Sequence, residues 1–432
     1  MNNKNNTRKV ISTWIKMELV GVMAVVFCIP SYSQVSLDSC LQSAYNNHPA
    51  LKAREVIGDI YEYKLENNRR ADYPRFSLSG QGKYQSDVVE LDIESPFGDL
   101  EFPEVPHLQF SAALNASQVI YNGGKRGIEK QMIINEYEAS ISELEATRRS
   151  IRESVQEIYL GILLKEKQVD VIELLGHTID LSIKRLEAGI EGGVVPEIDL
   201  DLLMAEKINL NKKYLSLEET RKSMVQSLSI ICCIDIDPSV RLIVPTVDFI
   251  PLTPDRPETD VFRSRINGMD LKKEMLGLKR LPQISAFGQA GYGRPGLNML
   301  SDEWQDFYIV GLQLAWIPWD YNETRREKNI LELNTRLIKY EEESFNKELD
   351  LASKNMINQI KLIENLIVED EMMLGLRIEI SAAMQKKLNE GVITGSEYLA
   401  ELNREREARL ELEKSRIELI ASKLAYQVIN GK

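Results

Sequence analysis

A heptad repeat in the first half of the chain constrains its fold more than any other feature. From Ile134 to Leu186, sixteen positions follow one another at alternating steps of three and four residues, and thirteen of them are apolar. The three exceptions are Arg148, Lys165 and Gly176. A 3.5-residue repeat held over seven heptads predicts one long helix with a coiled-coil seam. At 1.5 Å per residue, a helix from Gly124 to Gly189 would be roughly 100 Å long.

The sequence contains an internal repeat of about 200 residues. At a constant offset of 208 residues, Pro74 matches Pro282 and Tyr84 matches Tyr292. At an offset of 202 residues, the segment RLEAGIEGG matches KLNEGVITG, with Gly189 opposite Gly391. A period this long indicates duplication of a whole unit and not a solenoid of short repeats.

Each repeat predicts a pair of strands followed by a helical hairpin. The expected domains are a signal peptide at 1–33, a first repeat at 34–237, a proline-rich connector at 238–258 and a second repeat at 259–432. The strand hairpins are expected at about 75–120 and 283–317, and the helical hairpins at about 123–231 and 321–429. An amphipathic helical segment, Leu37–Arg70, leads into the first strand pair, and about 260–281 leads into the second.

Four segments alternate apolar and polar residues, as strands with one apolar face do. In the last of them Tyr308, Val310, Leu312, Leu314 and Trp316 share one face, with aromatic residues at both ends. That arrangement is typical of a strand that crosses a membrane, although an ordinary soluble hairpin is the alternative for any single strand.

The chain begins with features of an exported protein. Basic residues precede the apolar run Leu19–Ile29, and small residues follow it at Ser31 and Ser33. This order predicts a secretory signal peptide cleaved after Ser33, with a short buried helix as the alternative. The formal charge of the whole chain is −13, and it becomes −16 once four basic residues and one acidic residue are removed with the signal peptide. An acidic protein lacks the cationic excess that nucleic-acid binding requires.

These parts predict a shared barrel. Four strands cannot close a β-barrel, for which about eight are the usual minimum. An open sheet edge in lipid would leave backbone groups unpaired at several kcal/mol each. Several chains would therefore contribute to one barrel, and the charged long helices would project into water. The expected fold class is an α+β membrane protein with four transmembrane strands per chain, continued by a long antiparallel coiled coil.

The order of short motifs resembles the TolC-like family of outer-membrane efflux and secretion channels. The motifs are LDSCLQSAYNNHPALKA, PRFSLSG, VIYNGGKR and EAGI in the first half, and GRPGLNM, IPWDYNETRREK and EGVITGSEYLAELNRE in the second. Each is modest alone, and their order and spacing together are specific. The resemblance implies a homotrimer with a twelve-stranded barrel in the outer membrane and a helical tunnel in the periplasm. It also implies passive export, driven by an RND-type or ABC-type inner-membrane transporter through a periplasmic adaptor.

The resemblance assigns adaptor contact to the two helical turns. The residues carried over by motif are Gly189, Ile190, Val194, Gly391, Val392 and Ile393. Acidic residues near the same turns would form rings in a trimer and favour cations; they are Glu187, Glu191, Glu197, Asp199, Glu390 and Glu397. The alternatives are glycines that only end helices and carboxylates that only stabilise helix starts.

Aromatic residues in the second repeat are expected to anchor the barrel at the membrane interfaces; they are Trp304, Tyr308, Trp316 and Trp319. Nothing in the sequence predicts an enzyme or a cofactor. The chain has three isolated histidines and lacks H-E-x-x-H, G-x-S-x-G and phosphate-loop spacings. A soluble periplasmic coiled-coil adaptor or scaffold is the alternative function.

Overall fold

The structure is a computed structural model that describes residues 35–88, 105–191, 196–250, 256–298 and 301–431. The predicted signal peptide lies outside these residues. The chain forms two compact units. Unit 1 contains the described residues of Met1–Leu51, Arg148–Pro254 and Ala352–Lys432, and unit 2 those of Lys52–Thr147 and Asp255–Leu351. Each unit therefore draws on both sequence repeats.

The described residues contain seven helices and four strands. In chain order these are α1 (Leu37–Asn47), α2 (Pro49–Arg70), β1 (Arg75–Tyr84), β2 (Leu108–Tyr121), α3 (Lys125–Glu191), α4 (Glu197–Cys232), α5 (Pro257–Leu278), β3 (Gln283–Arg294), β4 (Gln305–Ala315), α6 (Glu323–Asn389) and α7 (Gly395–Ile429). The four strands and the long helices predicted from the sequence are confirmed. Within the described residues, none of the helices combines the length and the apolar character needed to cross a membrane.

The two long helices have equal lengths of 67 residues. Lys125 corresponds to Glu323 and Glu191 to Asn389, which is an offset of 198 residues. This offset is four residues shorter than that of the motif match, which pairs Gly189 with Gly391. Helix α3 continues two residues beyond Gly189, which lies inside its last turn.

The predicted helix Leu37–Arg70 is divided in two at His48. Its backbone is extended, with φ −63° and ψ 126°. Proline disfavours helical geometry in the residue before it, and Pro49 follows His48 directly. Pro49 then begins α2, because a helix tolerates proline in its first turn. The dipeptide His48–Pro49 therefore indicates the helix break in the sequence itself.

Unit 1 is built on two clusters of buried apolar side chains. The seam predicted for α3 supplies both clusters, from Ile151 and Val155 at one end to Leu186 at the other. Tyr159 is fully buried in the first cluster and donates hydrogen bonds to the carbonyl oxygens of Val35 (2.9 Å) and Ile243 (2.7 Å). The heptad pattern thus predicted the buried face of this part of α3.

Unit 2 holds one antiparallel sheet in the order β1-β2-β3-β4. The two strand pairs of the sequence repeats join through β2 and β3, where Leu114 is opposite Ala290. The helices of this unit pack through aromatic pairs, including Tyr61 on Tyr137 with ring centroids 4.5 Å apart. Strands β1 and β4 are the two edges of the sheet within this chain.

Candidate functional site

The second helical turn has the geometry of a glycine-terminated helix end. Gly391 has φ +67°, in the left-handed region that glycine adopts without a steric penalty. Its N–H donates to the Leu388 carbonyl (3.0 Å), and the Val392 N–H donates to that of Lys387 (2.9 Å). These two bonds form a Schellman motif and satisfy carbonyls at the end of α6.

The start of α7 carries the capping box expected from its sequence. The Thr394 hydroxyl accepts a hydrogen bond from the Glu397 N–H (3.3 Å). The Glu397 carboxylate in turn accepts one from the Thr394 N–H (2.9 Å). Two free donors at the helix start are satisfied in this way. Glu397 thus holds its own helix start while its side chain stays exposed.

Asp199 connects the beginnings of α4 and α7. It is 5% exposed, and its Oδ1 accepts a hydrogen bond from the Gly395 N–H at 2.8 Å. A carboxylate at a helix start is stabilised by the free N–H groups and the helix dipole. A Cβ on Gly395 would lie 3.0–3.2 Å from Asp199, so a larger residue would crowd this contact. The sequence placed Asp199 among the acidic residues near the turns and did not predict this contact. Gly395 at the first position of α7 was the only sign that another group lies close to this helix start.

The remaining residues predicted at the turns have different surroundings. Ile190 and Ile393 are partly buried against the second apolar cluster of unit 1, whereas Val392 is 66% exposed. Gly189 is half-buried in α3, and Val194 lies outside the described residues. Five of the six acidic residues are exposed; they are Glu187, Glu191, Glu197, Glu390 and Glu397.

A buried polar network behind the turns was not predicted. Tyr398 is fully buried, and its hydroxyl lies 3.4 Å from Ser182 Oγ. Ser182 donates to the Thr178 carbonyl (3.0 Å), so its oxygen accepts from Tyr398 and from Gln385 Nε2 (3.1 Å). Burial raises the pKa of the Tyr398 hydroxyl, which is therefore the neutral donor of this network. The network joins α3, α6 and α7.

Ion pairs tie the helices of unit 1 together below the turns. Glu401, nearly buried on α7, contacts Arg377 of α6 at 3.0 Å and Arg404 at 3.2 Å. Arg406 of α7 contacts Glu206 of α4 at 3.2 Å, and both side chains are largely buried. Paired and partly buried charges of this kind fix the register of neighbouring helices.

The sheet of unit 2 presents one continuous apolar face. Directly opposite residues share a face, so the register places Leu78 with Leu114 and Leu312 with Ala286. Most of the large side chains on this face are exposed; they include Phe76, Leu78, Tyr84, Leu114, Tyr308, Val310, Leu312 and Leu314. Exposed apolar patches of such extent mark interaction or membrane surfaces.

Aromatic residues lie at both ends of this face. Trp304 stacks on Tyr292 and Phe110, with ring centroids 5.4 and 6.3 Å apart. Trp316 donates from Nε1 to the Arg280 carbonyl (3.0 Å). The remaining two predicted residues, Tyr308 and Trp319, are exposed. Nine residues run from Tyr308 to Trp316, which is enough for a tilted strand of about 9–11 residues to cross a membrane.

The opposite face of the sheet is mostly polar, with Ser, Gln and Asn side chains on all four strands. The two largest exceptions lie over glycines. Phe287 is opposite Gly311 and Phe307 is opposite Gly291. A Cβ on either glycine would lie under 3 Å from the facing ring, so the ring would have to shift. At Gly291 the Cβ would also lie 2.8 Å from the Ala112 carbonyl oxygen. The aromatic residue that interrupts the polar alternation of β3 is explained by this cross-strand packing.

Metal-ion ligands are not assembled anywhere in the described part of the chain: three or more His, Cys, Asp or Glu side chains do not come together there.

This architecture resembles that of known proteins. Residues 40–225 match the model of a family described as Outer membrane efflux protein. The CmeC outer membrane channel of Campylobacter jejuni superposes with a TM-score of 0.69 at 14% identity, covering 91% of this chain and 85% of that one. VceC of Vibrio cholerae gives 0.68 at 13% identity, with coverage of 91% and 94%. CusC gives 0.73 at 12% identity, with 93% of each chain covered. A search of curated proteins found no match. At these identities the likeness establishes the fold, which is that of outer-membrane channels.

Proposed function

We propose that this chain is one subunit of an outer-membrane efflux duct, because residues 40–225 match the model of the outer membrane efflux protein family and the fold is that of outer-membrane channels. Three copies share one twelve-stranded barrel, and their helices continue it into the periplasm. The duct conducts passively, as the exit of a tripartite efflux pump or a type I secretion system. An RND-type or ABC-type inner-membrane transporter supplies the energy through a periplasmic adaptor.

The sheet carries this proposal. Its apolar face is bare, with Leu78 at 81% and Leu312 at 72% exposure. Burying each such side chain in lipid is worth about 2 kcal/mol. The edges at β1 and β4 would be unpaired in lipid, where each free backbone group costs several kcal/mol. Pairing these edges between copies removes that cost and closes the sheet into a barrel.

Helix α6 supports an assembly of several copies. In unit 1 it exposes Leu362, Leu366, Met373, Leu376 and Ile380 along one stripe. Their spacing of four, seven, three and four residues is that of a coiled-coil seam. A seam exposed within one chain has a partner in another copy. The number three comes from the resemblance to the family, since four strands per chain then give twelve.

The polar face of the sheet fits the water-filled side of a barrel. Ser79 accepts a hydrogen bond from Asn115 Nδ2 (2.9 Å) on this face, and Gln81 and Ser111 lie opposite each other. Strands that alternate apolar and polar residues line a lumen with their polar side chains. In the proposed duct, conduction is passive and follows the gradient that the transporter sets.

The turns form the adaptor-contacting tip in this proposal. Val392 is an exposed apolar side chain directly after Gly391, and Ile190 and Ile393 set the shape of the surface from behind. The family motif assigns adaptor contact to Gly189 and to Val194 as well, and Val194 lies outside the described residues. Apolar residues without cover at a helical turn are suited to receive the helical hairpin of a partner.

Acidic residues around the tip would form rings of three in the assembly. Glu187, Glu191, Glu197 and Glu390 are exposed and can face an opening. The Glu397 side chain is also exposed, but its carboxylate caps the start of α7. Rings of carboxylates favour cations. Asp199 is excluded from this role, because its carboxylate is buried against the start of α7.

A soluble periplasmic adaptor or scaffold is the competing function. The bare apolar face of the sheet favours the channel, since a soluble protein would cover it. Fractionation separates the two: the channel requires detergent for extraction from the outer membrane. Recovery of the folded protein from the soluble periplasm without detergent contradicts the channel.

The tip is tested by substitution of Val392 with glutamate. We expect cross-linking to the adaptor to be lost while the detergent-extracted assembly keeps its size. Ile230 is a matched control, because it is 78% exposed and lies at the opposite end of α4 from the turn. I230E is expected to leave cross-linking intact. Cross-linking that survives V392E contradicts the assignment of the tip.

A further inference from the structure

Two cysteine side chains from distant parts of the sequence meet in the core of unit 1. Cys40 on α1 and Cys232 at the end of α4 are both fully buried in the same apolar cluster. Both side chains therefore lie in the same part of the core, where α1 packs on α4. One turn after Cys40, Ser43 Oγ donates to the Cys232 carbonyl at 3.1 Å, which holds the two helices in register.

The third cysteine of this part of the chain has a different position. Cys233 is adjacent to Cys232 but exposed, and its backbone is left-handed with φ 54°. Its Sγ points back to the Ile230 carbonyl, 3.6 Å away. The end of α4 thus directs one cysteine toward α1 and the other toward the surface.

We propose that Cys40 and Cys232 form a disulfide bond in the exported protein, which fastens the start of the folded chain to the end of α4. The inference rests on the proposed function in one respect, since an outer-membrane protein folds in an oxidising compartment. The oxidant is a thiol–disulfide oxidase of that compartment. Burial of both sulfurs then protects the bond from reduction.

The chemistry balances as a thiol–disulfide exchange. The Cys40 thiolate attacks one sulfur of the oxidase disulfide and releases the other as a thiolate. The Cys232 thiolate then attacks Cys40 Sγ, so the intramolecular S–S bond forms and the reduced oxidase leaves. Two thiol protons and two electrons pass from the chain to the oxidase side.

The sequence alone gives no reason to expect a disulfide, because the three mature cysteines, two of them adjacent, do not form a disulfide framework. The pairing depends on the contact between α1 and α4, whose cysteines are separated by about 190 residues. A cross-link that closes a loop of this length restricts the unfolded chain strongly. We therefore expect the reduced protein to unfold at a lower temperature than the oxidised one.

The experiment counts free thiols in the protein extracted from the outer membrane. The protein is denatured under acid quench, alkylated with and without prior reduction, and weighed by mass spectrometry. We expect one alkylated cysteine without reductant and three with it. Cys232 and Cys233 share the tryptic segment 223–241, so C233S identifies the partner. This variant is expected to show none without reductant and two with it.

Three free thiols in the outer-membrane protein overturn the disulfide and leave the channel intact. Loss of the non-reduced cross-link in C233S overturns the assignment of Cys232. Should the protein be recovered from the cytoplasm, the proposed function fails; the pair is then tested by oxidising the purified full chain with diamide. A cross-link between Cys40 and Cys232 supports the geometry, and none overturns it.

Discussion

The contact between Asp199 and Gly395 gives the sharpest prediction for the tip. Replacing Asp199 with alanine removes the hydrogen bond of 2.8 Å that the Gly395 N–H, at the start of α7, donates to the buried carboxylate. Loss of an N-terminal cap costs about 1 kcal/mol, and a hydrogen bond to a charged group contributes about 1.5–3 kcal/mol. We therefore expect D199A to cost about 2 kcal/mol in the local opening of the α7 start, which is about 30-fold in the opening equilibrium.

Hydrogen exchange measures this opening directly. The peptide that begins at Gly395 should lose about 30-fold of its protection in D199A. D199N keeps an acceptor and loses only the charge, worth about 0.5 kcal/mol at a helix start, so its protection should fall about twofold. Asp201 is an exposed acidic residue of the same helix and serves as the control. Unchanged exchange in D199A, or an equal loss in D201A, refutes the role assigned to Asp199.

Three further predictions test other parts of the structure. Y398F should lower the free energy of unfolding by at most about 1 kcal/mol, because the hydrogen bond to Ser182 is long at 3.4 Å. Y398A should lower it by about 3–5 kcal/mol, because the buried ring is removed. Thermal unfolding followed by helical circular dichroism compares the two variants, and equal losses contradict the packing role. F287A should weaken the pairing of β3 with β4 by about 1 kcal/mol, because loss of the ring leaves Gly311 uncovered. Heat denaturation of the barrel, followed on gels, measures this loss, and an unchanged transition counts against the contact. Hydrogen bonds from Thr324 lower the pKa of Asp320. Asp320 therefore stabilises the α6 start fully above its pKa in the unfolded chain, and this stabilisation is lost as pH falls through its lowered pKa in the folded chain. D320N should remove this acid dependence from the hydrogen-exchange protection of α6, and a dependence that persists assigns it to another group.

Local patterns predicted most of the secondary structure. The heptad seam of α3 appears as its buried stripe from Ile151 to Leu186, because seam positions on a long helix face its neighbours. The capping box at Thr394 was readable since its partners are three residues apart. The break at Pro49 was equally local, and the amphipathic pattern on both sides of it concealed it.

Contacts between distant segments were beyond the sequence. Asp199 and Gly395 meet across 196 positions, and their neighbours in the chain give each of them another explanation. The network of Tyr398, Ser182 and Gln385 likewise depends on how three helices pack. The exposed apolar stripe of α6 from Leu362 to Ile380 has a physical reason in the proposed assembly, because part of this helix would face other copies of the chain and not its own core.

In the proposed assembly, several copies of this chain complete one barrel. Native mass spectrometry of the detergent-extracted protein tests this assembly. We expect a complex of three mature chains that requires detergent to stay in solution and conducts ions in a planar bilayer. A single chain that remains soluble and folded without detergent would contradict it.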